Sequence, residues 1–336
     1  MARFFSASEA DPGVLKGKTI AVIGYGNQGR AQAINLRRSG HQVIVGNQQD
    51  DSWRRAIEDG FQPLAMDEAA RRADIVMLLL PDEVAPELYR RLIEPNLTAG
   101  NTLVFASGYN ITYKFIVPPP KVDVILVAPR MIGQGVFDLP ERGEGFPVLV
   151  GVAQDASGGA RSTMLAIAHG IGGFYPHGAV LESSFEEETL VDLFSEHTWA
   201  GAVLFLLERA FDLLIEAGVS PEVALLELYA SGELGEIGRL MASTGFWNQL
   251  KLHSHTSQFG QLTHGPQFIG PEAEGLMRKA ITEIRNGDFA RRWTAEQAAG
   301  SPKFQELLAK VFQSPIARAE ADLRVKMGRS PTVERR

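Results

Sequence analysis

The sequence predicts a doubly wound parallel α/β sheet followed by an all-helical domain. A Gly-x-Gly-x-x-Gly turn lies between a β-branched apolar run and a helical segment, and five further apolar runs of strand length follow it. Alternating strands and helices of this kind are typical of a parallel sheet covered on both faces. The strand-like runs stop near residue 180, beyond which the apolar residues recur with helical spacing.

The bulk composition excludes several classes of function. The chain has 336 residues, a net charge of −7 and no cysteine. An acidic chain without a basic stripe is not expected to bind nucleic acid or a membrane surface, and without cysteine it has neither disulfides nor thiolate metal ligands. With no signal peptide and no apolar run of transmembrane length, we expect a cytoplasmic protein. We assign residues 1–180 to the sheet domain, residues 181–328 to the helical domain and residues 329–336 to a tail.

The first predicted strand, KTIAVI at residues 18–23, leads directly into the glycine turn. In a Rossmann dinucleotide-binding fold, Gly24 allows the tight turn, Gly26 lets the backbone approach the pyrophosphate, and Gly29 lets the helix pack closely on the strand. The N-terminus of the following helix offers N–H groups to the anion. Strand, turn, helix and second strand follow one another within about 30 residues, so the motif predicts a dinucleotide site.

The second predicted strand ends in VGNQQDDSW, the loop that meets the adenosine ribose in such folds. It carries Gln48, Asp50, Asp51 and Ser52, with no cation before Arg54. Acidic side chains here would repel a 2′-phosphate, so the loop favours NADH over NADPH. A solvated surface turn that happens to be acidic is the alternative.

Acidic residues recur on the apolar helices of the second half. Asp192 and Glu196 are four positions apart in EEETLVDLFSEHT, so a helix places them on one face. Glu227 and Glu233 follow in another apolar segment, and the helix after Trp199 is so apolar that we expect it to be buried, within the chain or between subunits. Buried like charges are costly unless a cation compensates them, and oxygen ligands without thiolates suit Mg²⁺. A solvated helix face is the alternative for each of these acids.

Seven stretches together resemble the ketol-acid reductoisomerases (acetohydroxy acid isomeroreductases) of the short, class I type. The resemblance extends from about residue 4 to residue 325 and is carried by VIGYGNQGRAQAINLRRSG, LLLPDE, VDVILVAP, QDASGGA, GIGG, EEETLVDLFSE and EIRNGDFARRW. It implies a Rossmann domain followed by an all-helical, knotted domain that pairs with a second subunit. The protein would then be a homodimer or a higher homo-oligomer, with its site at the domain and subunit interface.

The resemblance also implies the reaction and its residues. In this family two Mg²⁺ ions chelate a small 2-hydroxy-2-alkyl-3-keto acid such as 2-acetolactate, an alkyl group migrates, and hydride from NADH or NADPH reduces the resulting 2-keto acid to a 2,3-dihydroxy acid. Asp192 and Glu196 would act in catalysis as metal ligands, with Asp192 bridging the ions. Glu227 and Glu233 would complete the ligand set, and Ser254 would bind the substrate carboxylate. The implied cofactor residues are Gly24, Tyr25, Gly26, Asn27, Gln28, Gly29, Gln48, Asp50, Ser52, Pro81, Asp82 and Gly133.

The chain departs from the family pattern at its catalytic positions. Ser107 stands where the family has a histidine, and Arg130 stands where a lysine assists the isomerisation. Serine cannot replace an imidazole in acid–base work, whereas arginine holds an anion but does not transfer a proton near neutral pH. At the family's spacing the second acid of the later helix is Ser231. If Glu233 takes its place the helix needs a break, which Gly232 would permit.

Three functions are therefore compatible with the sequence. The first is a working ketol-acid reductoisomerase that uses Arg130 and Ser107 in its site. The second is a relative that has lost alkyl migration and reduces another 2-keto acid, carbonyl or imine, a hypothesis that the larger Met131 and Ile132 near the pocket also motivate. The third is a non-catalytic dinucleotide-binding protein, which would have no physical reason to keep paired acids on an apolar helix.

Overall fold

The computed structural model describes residues 1–330, so most of the expected tail (residues 331–336) lies outside the described residues. The chain divides into two compact units, one of residues Met1–Val191 and one that begins at Asp192. In the described part of the chain, the strands all belong to the first unit and the second is helical.

An eight-stranded sheet forms the centre of the first unit. Its strands are β1 (Phe4–Phe5), β2 (Thr19–Ile23), β3 (Gln42–Gly46), β4 (Ile75–Leu78), β5 (Thr102–Phe105), β6 (Asp123–Pro129), β7 (Pro147–Gln154) and β8 (Ala179–Glu182). They lie in the order β1-β8-β7-β6-β5-β4-β2-β3. Strands β2 to β6 pair in parallel, which confirms the expected doubly wound sheet. Strand β7 then reverses direction against β6, β8 runs parallel to β7, and β1 closes the edge antiparallel to β8.

Sixteen α-helices accompany these strands in the described residues. They are α1 (Asn27–Arg38), α2 (Asp51–Glu58), α3 (Met66–Arg72), α4 (Ala85–Leu88), α5 (Tyr109–Thr112), α6 (Gly133–Glu141), α7 (Ala160–Gly170), α8 (Phe185–Ser195), α9 (Gly201–Glu216), α10 (Pro221–Leu225), α11 (Glu233–Thr244), α12 (His255–His264), α13 (Pro271–Arg285), α14 (Asp288–Ala298), α15 (Pro302–Phe312) and α16 (Pro315–Lys326). Over residues 1–330, none of the helices has the length and apolarity required to cross a lipid bilayer.

Apolar residues on both faces of the sheet explain why its strands appear as continuous apolar runs. Along β2, Ile20 and Val22 point into one buried cluster, which includes residues of α1 and α7. Ala21 and Ile23 point into the other, which includes residues of α3. Because helices cover both faces, successive side chains are all buried, as in other parallel sheets.

The helical unit has a much smaller core within the single chain. Phe211 of α9, Ala224 and Leu225 of α10 and Leu323 of α16 form its buried cluster. Few other side chains of this unit are fully buried in the described residues. The helices therefore offer far more apolar surface than one chain covers.

Helix α9 is not buried within a single chain. In the apolar segment after Trp199, Leu204, Phe205 and Leu206 are 67%, 61% and 51% exposed. Helix α9 is apolar around most of its circumference, and within it Phe211 alone is fully buried, so burial between subunits stays a prediction. Exposed apolar patches of this kind mark surfaces that another molecule covers.

A break separates the helical segments that carry Glu227 and Glu233. Helix α10 continues into a π-helical turn, Leu226–Ala230, and Gly232 then adopts a left-handed conformation with φ of 91°. Glu233 is the first residue of α11. The structure has the helix break that Gly232 was expected to permit, because glycine reaches this backbone region without a steric penalty.

A partly buried polar cluster joins the start of α1 to the end of α2. Arg30 donates two hydrogen bonds to the Asp59 carboxylate, of 2.7 and 3.0 Å, and the Tyr25 hydroxyl donates a third of 2.9 Å. Burial raises the pKa of the Asp59 carboxyl, but the hydrogen bonds from Arg30 and Tyr25 outweigh it and hold that pKa below its usual range. Burial likewise raises the pKa of the Tyr25 hydroxyl, so this group stays a donor.

This cluster predicts a pH dependence of stability. A carboxyl whose pKa is lower in the folded state stabilises the fold above its unfolded pKa, and this contribution is lost as the pH falls through the folded pKa. We expect Asp59→Asn to lower the free energy of unfolding at pH 7 by about 1–2 kcal/mol and to flatten its decline below about pH 4. Urea unfolding of both proteins between pH 3 and pH 7 measures this. Glu87→Gln, in an exposed pair with Arg91, is the control, and equal acid limbs for wild type and Asp59→Asn would contradict the prediction.

Candidate active site

The glycine turn after β2 has the geometry of a dinucleotide cradle. Gly24 has φ of 93°, and its N–H donates to the Gly46 carbonyl at 2.9 Å. A Cβ on Gly24 would lie 2.6 Å from the Leu79 carbonyl oxygen, which follows β4. Gly24 therefore fits the turn both because of its backbone conformation and because the neighbouring strand passes close by.

The other two glycines of the motif differ in whether the surrounding atoms leave room for a side chain. A Cβ on Gly29 would lie 2.0 Å from the Gly24 carbonyl oxygen, so this glycine lets α1 pack against the turn. A Cβ on Gly26, the N-cap residue of α1, would meet no atom of the described residues within 4 Å. Packing within the described chain does not demand a glycine there, whereas close approach of a ligand to the backbone does. The turn therefore fits a dinucleotide pyrophosphate.

The N-terminus of α6 lies beside the N-terminus of α1. A Cβ on Gly133 would lie 2.5 Å from the Asn27 carbonyl oxygen, and the Gln28 side chain donates to the Met131 carbonyl at 2.9 Å. Two helix N-termini at one place favour an anion. Tyr25 is buried, and its backbone N–H donates to the Asn47 side chain at 3.2 Å. Its ring therefore packs in the protein interior.

The loop after β3 carries the acids that were predicted to meet the ribose. Asp50 caps α2 by accepting from Trp53 N at 3.1 Å, and the Asn47 amide donates to the same oxygen at 2.9 Å. Asp51, the first residue of α2, is exposed and paired with Arg54. Gln48 is exposed, and Ser52 is half-buried in the first turn of α2. Sequence reasoning did not find that Asp50 also has a capping role.

A polar cluster follows β4 and β5 at the carboxyl edge of the sheet. Asp82, directly after Pro81, accepts two hydrogen bonds from the buried Asn110 amide, at 3.0 Å on its carboxylate and 3.2 Å on its carbonyl. The Ser107 hydroxyl lies 3.4 Å from the Asp82 carboxylate. Burial, together with the charge of Asp82, raises the pKa of the Tyr109 hydroxyl. The carboxyl edge of a parallel sheet is where ligands bind in such folds.

Arg130 follows β6 at this edge and is held by a residue that sequence reasoning missed. The Arg130 guanidinium donates to the Glu188 carboxylate at 2.7 Å, and Gly108 N donates to the other oxygen at 2.6 Å. Glu188 is 1% exposed. A buried carboxylate with a cation and a backbone donor is the arrangement that offsets its desolvation. The sequence feature that could have indicated Glu188 is its spacing. Glu188, Asp192 and Glu196 follow one another at intervals of four residues and so share one helix face.

Gly108 explains how this helix comes so close to the strand ends. A Cβ on Gly108 would lie 2.2 Å from the Phe185 carbonyl oxygen and 2.6 Å from the Thr189 hydroxyl. The Thr189 hydroxyl in turn lies 3.0 Å from that of Thr112. The first turns of α8 therefore pack directly on the loop that carries Ser107.

The predicted metal ligands lie in the helical unit and are not gathered in one chain. Asp192 is half-buried near the end of α8, and Glu196 is exposed and begins a π-helical turn, Glu196–Ala200. Glu227 is exposed within the second π-helical turn, and Glu233 is exposed at the start of α11. Across residues 1–330, no three acidic or histidine side chains come together to hold a metal ion. Such π-helical turns are frequent at functional sites.

Ser254 occupies a helix terminus. Its hydroxyl accepts a hydrogen bond from Ser257 N at 3.2 Å and caps α12, and the residue is exposed. Serine is among the preferred N-cap residues, so the structure gives this position a local role besides the predicted contact with substrate.

Replacing Gly29 or Gly26 by alanine should have different effects, because their surroundings differ. Gly29→Ala should lower the free energy of unfolding by about 2 kcal/mol or more, because its Cβ overlaps the Gly24 carbonyl and α1 must shift. Gly26→Ala should leave stability within about 0.5 kcal/mol but weaken NADH binding at least tenfold. Chemical denaturation and NADH fluorescence titration measure the two quantities. Equal effects of both substitutions on stability would refute this assignment.

Comparison with known proteins agrees with the fold and with the cradle. Residues 14–176 match the family model of the acetohydroxy acid isomeroreductase NADPH-binding domain, and residues 185–329 match the ketol-acid reductoisomerase C-terminal domain. The ketol-acid reductoisomerase 3 of Saccharolobus solfataricus is 49% identical to this chain, and the match covers 92% of this chain and 93% of that protein. A Pyrobaculum calidifontis ketol-acid reductoisomerase (NADP(+)) is 43% identical over 96% and 98%.

A solved structure agrees equally well. The NADH-preferring ketol-acid reductoisomerase of an uncultured archaeon has a TM-score of 0.92 and 38% identity, covering 96% of this chain and 98% of that one. Both family models together match nearly the whole chain. The chain belongs to the ketol-acid reductoisomerase family as a short-form member, an enzyme with a nicotinamide cofactor.

Proposed function

We propose that this protein converts a 2-hydroxy-2-alkyl-3-keto acid of the 2-acetolactate type to a 2,3-dihydroxy acid, with NADH and Mg²⁺. The observation that carries the proposal is Arg130, held by the buried Glu188 at the same sheet edge that bears the glycine cradle. It provides a fixed cation where an anionic substrate would meet the nicotinamide. The named relatives of similar length support the substrate class.

In this proposal the sheet unit binds the cofactor and orients it. Gly26 and the N-termini of α1 and α6 hold the pyrophosphate, and Asp82 with Ser107 lines the edge where the nicotinamide supplies its hydride. Arg130 binds the substrate carboxylate or developing oxyanion by hydrogen bonds, because a guanidinium stays protonated at neutral pH. Ser107 donates or accepts a hydrogen bond and replaces the family's imidazole only in that respect.

Asp192 and Glu196 supply hard oxygen donors from a single chain and fit part of an Mg²⁺ site. When bound, Mg²⁺ supplies Lewis-acid polarisation of the substrate's carbonyl and hydroxyl oxygens. We infer that Glu227 and Glu233 of a second copy complete the ligand set, which makes the protein a homodimer or a higher homo-oligomer. The exposed apolar side chains of α9 support this, since a second copy would cover them.

A second candidate function follows from the Arg130–Glu188 pair. The pair holds an anion by hydrogen bonds and lacks the lysine that assists isomerisation in the family, so it serves hydride transfer better than alkyl migration. In this candidate the protein reduces a preformed 2-keto acid and has lost the isomerisation. A substrate pair that differs only in whether migration has occurred separates the two candidates.

We expect the enzyme to oxidise NADH with both 2-acetolactate and 3-hydroxy-3-methyl-2-oxobutanoate when Mg²⁺ is present. Arg130→Gln should lower kcat with both acids by about 10- to 100-fold, because the fixed cation is lost. Arg130→Lys, which keeps a cation beside Glu188, should retain most of the rate with the second acid. Absorbance at 340 nm follows both reactions. Turnover of the second acid alone identifies the reductase, and turnover of neither refutes both candidates.

The Mg²⁺ requirement has its own matched pair of variants. Asp192→Asn should remove the Mg²⁺-dependent activity, whereas Glu186→Gln, an exposed acid at the start of the same helix, should not. Unchanged Mg²⁺-dependent turnover in Asp192→Asn would refute the ligand assignment while leaving the dinucleotide site untouched.

The preference for NADH rests on the exposed acids after β3. Asp50→Ser keeps a capping oxygen for α2 and removes one charge, and Asp51→Asn removes the other. We expect the double variant to raise the ratio of kcat/KM for NADPH to that for NADH by about tenfold, as two exposed charges contribute about 0.5–1 kcal/mol each. Glu58→Gln, at the far end of α2, is the control. An unchanged ratio in the double variant would assign the preference elsewhere.

A further inference from the structure

A cavity lies on the sheet unit, apart from the glycine cradle. It has a volume of about 420 Å³ and is lined by Gly151, Val152, Asp155, Arg161, Met164, Glu182 and Ser183. A Cβ on Gly151 would lie 2.6 Å from the Ser183 carbonyl oxygen, so a glycine is needed where β7 passes under this segment. The cavity is large enough for a small metabolite.

The direction of β7 separates this cavity from the cofactor edge. Strands β2 and β4 to β6 are parallel, and Gly24, Ser107 and Arg130 follow their carboxyl ends. Strand β7 runs antiparallel to β6, so Asp155, the residue after β7, lies at the opposite edge of the sheet. A ligand in the cavity therefore does not compete with a dinucleotide for the same residues.

Two of the three charged side chains at the cavity are anchored by contacts of their own. Asp155 accepts from Ala160 N, at the first residue of α7, at 3.1 Å. The Arg161 guanidinium stacks over the Phe5 ring at 5.0 Å. Glu182 is positioned by its backbone alone, whose N–H donates to the Arg3 carbonyl at 2.8 Å. Anchored charges bind a ligand with little loss of side-chain entropy.

The Arg161 and Glu182 side chains are close but loosely paired. Their nearest nitrogen and oxygen are 3.6 Å apart, and the side chains are 47% and 50% exposed. A charge-assisted hydrogen bond would be about 2.7–2.9 Å long. Both groups therefore retain hydrogen-bonding capacity for a third partner that carries complementary charges.

We propose that this cavity binds a small zwitterion, an α-amino acid with an aliphatic side chain. Arg161 binds the carboxylate, Glu182 and Asp155 bind the ammonium group, and Val152 with Met164 contacts the aliphatic chain. A simple anion would face two carboxylates, and a simple cation would face the guanidinium, whereas a ligand with both charges satisfies both.

Isothermal titration calorimetry of the full-length protein tests the proposal. L-leucine should bind, and glycine, leucinamide and N-acetyl-L-leucine should each bind at least tenfold more weakly, because each lacks one of the three recognised groups. Arg161→Gln and Glu182→Gln should each weaken L-leucine binding at least tenfold, while Arg142→Gln, exposed and outside the cavity, should not change it.

NADH titration of the same variants shows that they are folded and that the two sites are independent. Unchanged NADH affinity together with lost L-leucine binding supports the proposal. Absence of L-leucine binding by the wild type up to about 10 mM, a concentration at which even a very weak complex would form, overturns it. Undiminished L-leucine binding in both Arg161→Gln and Glu182→Gln also overturns it. Should Arg161→Gln lose NADH binding through misfolding, Glu182→Gln decides the matter by the same criteria.

Discussion

The buried carboxylate of Glu188 makes the contacts on which the carboxyl edge of the sheet depends. It receives hydrogen bonds from the Gly108 backbone and the Arg130 guanidinium, and so ties the ends of β5 and β6 to α8. A carboxylate at 1% exposure is tolerable only while such donors are present. The same contact thus fixes the loop that carries Ser107 and the direction in which Arg130 reaches. If substrate binds at this edge as proposed, the geometry of its site depends on a residue that need not touch it.

Much of the sheet unit could be predicted from the sequence because its determinants are local. The glycine turn follows from steric limits at Gly24 and Gly29 that any sequence of this pattern meets, and the strands appear as apolar runs of the right length. The reversal of β7 could not be predicted, since an apolar run of strand length has the same pattern in either direction. Glu188 was missed because a third acid in EEE carries no sign of its burial, which only the packing of α8 on Gly108 creates.

The helical unit shows the opposite balance. Its helices were predicted correctly from periodicity, and Gly232 permits the break that the sequence allowed there, whereas the surface that covers α9 stays a prediction. The apolar composition of a helix indicates that its surface is covered, but not which molecule covers it. For the same reason the four proposed metal ligands lie on known helical segments, while their convergence cannot be deduced from one chain.

The packing of α8 on the sheet also constrains how such enzymes exchange domains in evolution. The last strand ends at Glu182, but Phe185 still contributes to the core of the sheet and Glu188 to its carboxyl edge. A recombination event that joined a foreign helical domain directly after the last strand would remove both. A junction that keeps the sheet unit intact must therefore lie within α8, beyond Glu188. There the incoming segment must continue the helix with the same rotation about its axis.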